Sequence, residues 1–361
     1  MHRRSIPLGL ALCALALGCH PEIEMVPLVD RTIYTTDRFY DVQAISKDRA
    51  IIVGYGGKIA RTTDGGSNWT LADSGTDLAL YAVRMADENH GWIVGQEGLM
   101  LRTDDGGKTW QKQESNATFK ETDGSTKRAY LFSLHALDPN TAWAVGDRSM
   151  LTSTTDGGKT WTSRKVPMEL DTSGGETLAA ADPIFYDVRF IDRQEGWIVG
   201  EFGKIMHTTD GGQTWREQER TLMEGTKIFD LLDLPTLFGI HAADSQRALA
   251  VGLEAHVART SDGGARWKFD ELDAGAVPLV DPLYDVTELP DGTGWGVGAA
   301  GEVIRKGPTD AAWTRAKIGQ DVLTWLRAIH FSDPQNGWMV GGFGLIFRTT
   351  DGGKTWLPSQ G

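Results

Sequence analysis

Five side chains that carry or can acquire positive charge, Arg84, His135, Arg189, His241 and His330, occupy one slot of a repeating sequence that Gln43 and Thr287 complete. Each stands eleven residues before a recurring glycine: Gly54, Gly95, Gly146, Gly200, Gly252, Gly298 and Gly341. Two residues earlier come Asp41, Asp187 and Asp285. Such a ring could bind an anion or a carboxylate terminus, and its histidines would make that binding pH-dependent. Its other use is hydrogen bonding to water and to the three carboxylates. The histidines lie on alternate repeats, too far apart to share one zinc at about 2 Å each.

A second acidic set lies in Thr-x-Asp-x-Gly-x-Thr-Trp turns, at Asp64, Asp105, Asp156, Asp210, Asp262 and Asp351, with Pro308 in the sixth slot. These turns lack the alternating acids and distal glutamate of a calcium loop. Each carboxylate can instead accept hydrogen bonds from its own turn. Glycosidic cleavage needs two carboxylates about 5 to 10 Å apart, and no such pair stands out. No catalytic residue, metal or cofactor is therefore expected. Three residues before each of these carboxylates, and before Pro308, stand Arg61, Arg102, Ser153, His207, Arg259, Arg305 and Arg348. This ring is expected to pair with acids of the blade turns such as Asp87, Asp138, Asp192, Asp244 and Asp333, because buried charge is usually paired.

The elements that must position these groups follow from the repeat. From each marker glycine to Trp69, Trp110, Trp161, Trp215, Trp267, Trp313 or Trp356 is always fifteen residues, whereas consecutive glycines lie 41, 51, 54, 52, 46 and 43 apart. Each unit holds four short apolar runs separated by Gly, Asp and Asn, and none has helical spacing, so each reads as four antiparallel strands. Recurrence of such a unit marks an all-β, seven-bladed β-propeller of four-stranded antiparallel blades. Trp325 alone lies outside the two tryptophan slots, so the other twelve tryptophans are assigned to packing between blades. An N-terminal strand near residues 31–35 is expected to complete the outer edge of the last blade.

Residues 1–18, with Arg3, Arg4 and an apolar run, have the layout of an export signal, and Cys19 follows in a lipobox-like context. The expected organisation is signal 1–18, lipidation at Cys19, a tether over 19–30 and the propeller over 31–361. That places the chain outside the cytoplasm, in the cell envelope on its periplasmic or outer-surface side, lipid-anchored and monomeric. The formal charge of −13 and the lack of a basic run disfavour nucleic acid.

Binding is expected on the face where interblade connectors lengthen, over residues 111–129, 162–184, 216–236 and 268–282. Short turns there present Phe202 and Phe343. The stretch 222–237, with Leu222, Met223, Phe229 and Leu232, either folds back as a cap or offers an apolar patch to a partner.

The Thr-Thr-Asp-Gly-Gly-Lys-Thr-Trp boxes paired with Gly-Trp-x-Val-Gly strands over residues 38–356 resemble the Asp-box (BNR) propellers of the photosystem II stability and assembly factor-like family. The resemblance implies a non-enzymatic protein that binds a protein or peptide partner and assists assembly of a membrane or envelope complex, and it offers a second reading of the arginine ring, as a patch used in docking a membrane-protein partner. Asp-boxes also occur in sialidases and other glycosidases, and a glycan or cell-wall binding module is a further alternative. The one string resembling a sialidase Arg-Ile-Pro motif, Arg4 to Pro7, falls in the signal.

Overall fold

The computed structural model describes residues 31–168, 182–273 and 275–359. Seven sheets stand in a ring, each running in sequence order from an inner to an outer strand. The inner strands are Phe39–Ala44, Leu80–Met85, Leu131–Asp138, Phe185–Phe190, Leu237–Ala242, Leu283–Glu288 and Leu326–Phe331, which number the blades 1 to 7. Blade 6 has a fifth strand, because Leu272–Asp273 of the preceding connector pairs in parallel with Trp313–Arg315. Connector 111–129 forms a hairpin from Thr118–Lys120 and Thr126–Arg128.

Closure differs from the sequence expectation. The outer strand of blade 7 is Leu357–Pro358 from its own blade. It is two residues long and carries a proline, so it presents little edge to cover. The ring closes through one apolar cluster joining Val42, Ile52 and Trp69 of blade 1 to Ala328, Trp338 and Val340 of blade 7. Residues 31–38 instead lie over blades 1 and 7: Lys58 Nζ donates to the Thr32 carbonyl at 2.8 Å, and Gly344 N to that of Asp37 at 2.8 Å.

The repeat's tryptophans pack the blade interfaces. Eleven of the twelve are buried, and Trp215 is half-buried. The residue three positions after an outer tryptophan can supply an acceptor to an indole of the following blade, although after Arg164 the indole of Trp215 uses the Gly212 carbonyl at 3.0 Å instead. Gln113 Oε1 accepts from Trp161 Nε1 at 3.0 Å and from Trp92 of its own blade at 3.1 Å; Gln218 does the same for Trp267 (3.0 Å) and Trp197 (3.3 Å). In blades 1 and 6 the position holds Ala72 and Ala316, and the indoles of Trp110 and Trp356 are buried without a partner. The second glycine of the box makes room for the acceptor at Gly66, Gly158 and Gly264. At Gly158, with φ of 78°, an added Cβ would stand 2.2 Å from Gln113 Oε1.

The boxes are self-contained. Asp64 accepts from Thr62 Oγ1 and from the amide of Asn68, both at 2.9 Å, and the equivalent bonds recur around Asp105, Asp156, Asp210, Asp262 and Asp351. Hydrogen bonds from Asn68 and Thr160, side chain foremost, hold the carboxyls of Asp64 and Asp156 down to about 2. In blade 6 Asp310 takes over by accepting from Gly307 N at 2.7 Å.

Candidate functional site

Every inner strand starts with the same irregularity. The register shifts between Phe39 and Asp41, and at the equivalent pair in all the other blades. A bulge of this kind re-aims a side chain. Here it turns Tyr40, Tyr81, Phe132, Tyr186, Phe238, Tyr284 and Arg327 toward the channel, where strict alternation would have sent them into the sheet.

The six aromatic rings form a chain around the channel mouth on the connector face. Successive centroids are 5.6, 5.3, 5.6, 5.0 and 5.7 Å apart from Tyr40 to Tyr284, and the Arg327 guanidinium lies 5.2 Å from the Tyr284 ring. Trp325 stacks on Tyr40 at the other end of this chain. All seven tyrosines of the chain lie on this face. The space enclosed at collar level is about 30 Å³, room for a single water, so the channel is a platform here and not a pore.

Around the collar the loop tips add Tyr34, Tyr55, Phe343, Leu253, Val277, Val280 and Leu323 as exposed apolar groups. Glu97, Arg148, Phe202, Glu254, Ala300 and Phe343 hold their tips with φ between 52° and 58°, a left-handed conformation costing a non-glycine residue about 1 to 2 kcal/mol. Strain retained at six tips of one face points to a use for that face.

Stretch 222–237 is mostly packed, with two large apolar side chains left exposed. Leu222 is 1% exposed and packs with Met223, Ile228, Leu231 and Leu234 against blades 4 and 5, so most of it is a cap. Phe229, 86% exposed, and Leu232 project from it.

The polar ring lies below the collar, where all seven of its members line a cavity of about 410 Å³ opening on the Asp-box face. Its charges are compensated from within. Arg84 pairs with Asp41, and Arg189 stands 3.7 Å from Asp187. Each of the three aspartates also clips two blades together: Asp41 accepts from Val83 N (2.8 Å), Asp187 from Ile240 N (2.9 Å) and Asp285 from Ile329 N (2.9 Å). Burial, with the nearby arginines adding to it, pushes His135, His241 and His330 down to about 3, 4 and 3, so they are neutral near pH 7. Burial pushes the Asp285 carboxyl up to about 6, against the pull of Arg189.

The arginine ring pairs differently from the expectation. Asp87, Asp138, Asp192, Asp244 and Asp333 each accept amides two and three residues ahead, so they brace their own turns. The cross-strand register instead lays Arg102, Arg305 and Arg348 over Trp92, Trp295 and Trp338, and stacks His207 on Trp197. Their ionic partners are Asp104, Asp310, Asp48 and Glu195, while Arg259 pairs with Asp270 and Glu288. Cys19, the signal and the tether lie outside the described residues.

The fold and this face define a seven-bladed Asp-box propeller whose channel mouth is ringed by aromatic side chains. The family profile described as photosynthesis system II assembly factor YCF48 matches residues 23–116, 67–180 and 176–234, more than half of the chain. The chain belongs to that family. It is 31% identical over 217 residues to the photosystem II assembly lipoprotein Ycf48 of Synechococcus sp. (strain CC9902), covering 60% of this chain and 57% of that protein. The chain spans about half the length of the curated relatives it matches. A solved structure of YCF48 bound to D1 peptide superposes with a TM-score of 0.56 at 20% identity, over 78% of this chain and 81% of that one. An ancestral GH74 enzyme superposes with a TM-score of 0.63 at 12% identity, over 92% of this chain and 47% of that one. At such identities both likenesses concern the fold. The curated relatives are named as assembly factors.

Proposed function

We propose that the chain is a non-enzymatic assembly factor of the photosystem II type, exported and lipid-anchored through Cys19, that holds a peptide segment of a membrane-protein partner on its collar face. The observation that carries this reading is the closed aromatic collar on the face bearing every tyrosine and most exposed apolar groups. Tyrosine and tryptophan offer large rigid contact area at small entropic cost, and so they dominate protein-binding surfaces. The D1 peptide held by the structural neighbour supports a partner of the same kind here.

The propeller begins with Thr32 and Ile33 on this same face. A glycosidase reading has no comparable support, since each channel aspartate already accepts a backbone amide of the adjoining blade.

The test is affinity capture of membrane proteins from the native host by the full chain and by a Tyr81→Ala/Tyr186→Ala variant of equal thermal stability. The reading predicts that the variant loses its partner. Undiminished capture by the variant would overturn it.

A further inference from the structure

The collar is electrically uneven, and that unevenness, given the docking reading above, specifies the partner's chemistry. On blades 7 and 1, Arg327 lies over Tyr284 and Arg38 lies 5.7 Å from the Tyr55 ring; neither forms an ion pair among the described residues. On blades 3 and 4 the corresponding rim carries carboxylates. Asp147 Oδ2 accepts from Tyr130 N at 3.0 Å and Glu201 Oε2 from Ile184 N at 2.9 Å, which pins each two residues from a collar ring, Phe132 and Tyr186. Neither carboxylate has an ion-pair partner among the described residues. The Arg148 guanidinium, beside Asp147, is engaged by Glu121 at 3.4 Å and lies over Phe119.

The surroundings of these carboxylates favour a cation. Burial raises the Asp147 carboxyl above its ordinary value, with no facing positive charge to offset it fully. Burial, with Tyr40, Tyr130 and lastly Asp147 adding to it, pushes the Tyr81 phenol up to about 12, and burial with Glu201 raises that of Tyr186 against the pull of Arg327, so both phenols stay neutral and their ring faces stay electron-rich. A half-buried carboxylate beside aromatic faces is costly alone and favourable once a cation joins it.

We propose that Phe132 and Tyr186, flanked by Asp147 and Glu201, form a socket for an arginine or lysine side chain of the partner segment. Arg38 and Arg327 repel a cation from the opposite half, so the socket also sets the direction in which the segment crosses the collar.

The experiment uses the full chain and two fluorescent peptides of Leu, Ser and Gly that differ only in a central arginine or citrulline, its uncharged isostere. Anisotropy titrations compare the chain with an Asp147→Asn/Glu201→Gln variant. Gln96 fills this slot in blade 2 and accepts from Ala79 N, so the amides suit the fold. The arginine peptide is expected to bind about tenfold more tightly than the citrulline peptide, and the variant to bind both alike. Equal affinity for the two peptides on the unmodified chain overturns the socket, yet leaves apolar docking standing. Binding of neither peptide overturns the socket, and the docking reading then falls only if capture by the Tyr81→Ala/Tyr186→Ala variant is also undiminished. An arginine preference that survives in the double variant overturns the assignment to Asp147 and Glu201.

Discussion

Trp325 of the last blade's approach lies stacked on Tyr40 of the first, with ring centroids 5.9 Å apart and planes 13° from parallel. One contact thus serves the closure of the propeller and the continuity of its aromatic face. Trp325→Ala should lower stability by about 1 kcal/mol, as expected for one aromatic pair, and reduce partner capture. Thermal unfolding and capture yield measured on the same preparation check both effects.

The two halves of stretch 222–237 should respond in opposite ways. Leu222→Ala opens a cavity in the core beneath blades 4 and 5 and should cost about 2 to 5 kcal/mol. Phe229→Ser with Leu232→Ser should leave the unfolding curve within about 0.5 kcal/mol and weaken only partner binding. Denaturant titration beside capture yield separates the two.

The orphaned indole of Trp110 can be given an acceptor. Ala72 packs beside it where Gln113 and Gln218 serve the equivalent interfaces of other blades. Ala72→Gln should raise stability by about 1 kcal/mol. Gln113→Ala should lower it by a similar or larger amount, since it strands Trp92 and Trp161. An Ala72→Gln protein no more stable than its parent would contradict the acceptor rule.

Acid should weaken the fold before most carboxylates titrate. His135, His241 and His330 are held near 3, 4 and 3, against an ordinary value near 6.5, so on acidification the unfolded chain takes up their protons first. Their contribution is complete above pH 6.5 and is lost progressively down to about pH 3. Asp285, raised to about 6, acts with the opposite sign, weakening the fold as pH rises from about 4 to 6. Three histidines against one carboxylate leave a net loss on acidification. Unfolding curves between pH 4 and 7 should flatten when His135 and His330 become glutamine, the residue blade 1 carries in that slot as Gln43.

The blades, their interfaces and the self-contained boxes were legible in the sequence because they rest on strict spacing, fifteen residues from Gly54 to Trp69 and in every later copy. The polar ring was legible too, and the structure gathers it into one cavity. The collar escaped notice although its slot is as regular, fourteen residues before each marker glycine from Tyr40 to Arg327. Alternation along a strand places Tyr40 and Val42 on one face and Asp41 and Gln43 on the other. The bulge between Phe39 and Asp41 breaks that rule, and nothing local, such as a glycine, marks it. The ionic partners of the arginine ring escaped for a related reason. Asp87 and its equivalents give one carboxylate oxygen to the amides of their own turns, and the other oxygen of Asp138 and of Asp244 meets Arg193 and Arg247, outside the ring.

The central claim is that partners dock on the collar face. Its most direct test places a photocrosslinking residue at Tyr186 in one strain and at exposed Lys108 on the Asp-box face in another, and identifies crosslinked proteins in intact cells. Docking on the collar predicts a membrane protein crosslinked from position 186 and absent from position 108. Crosslinks arising from position 108 alone would contradict it.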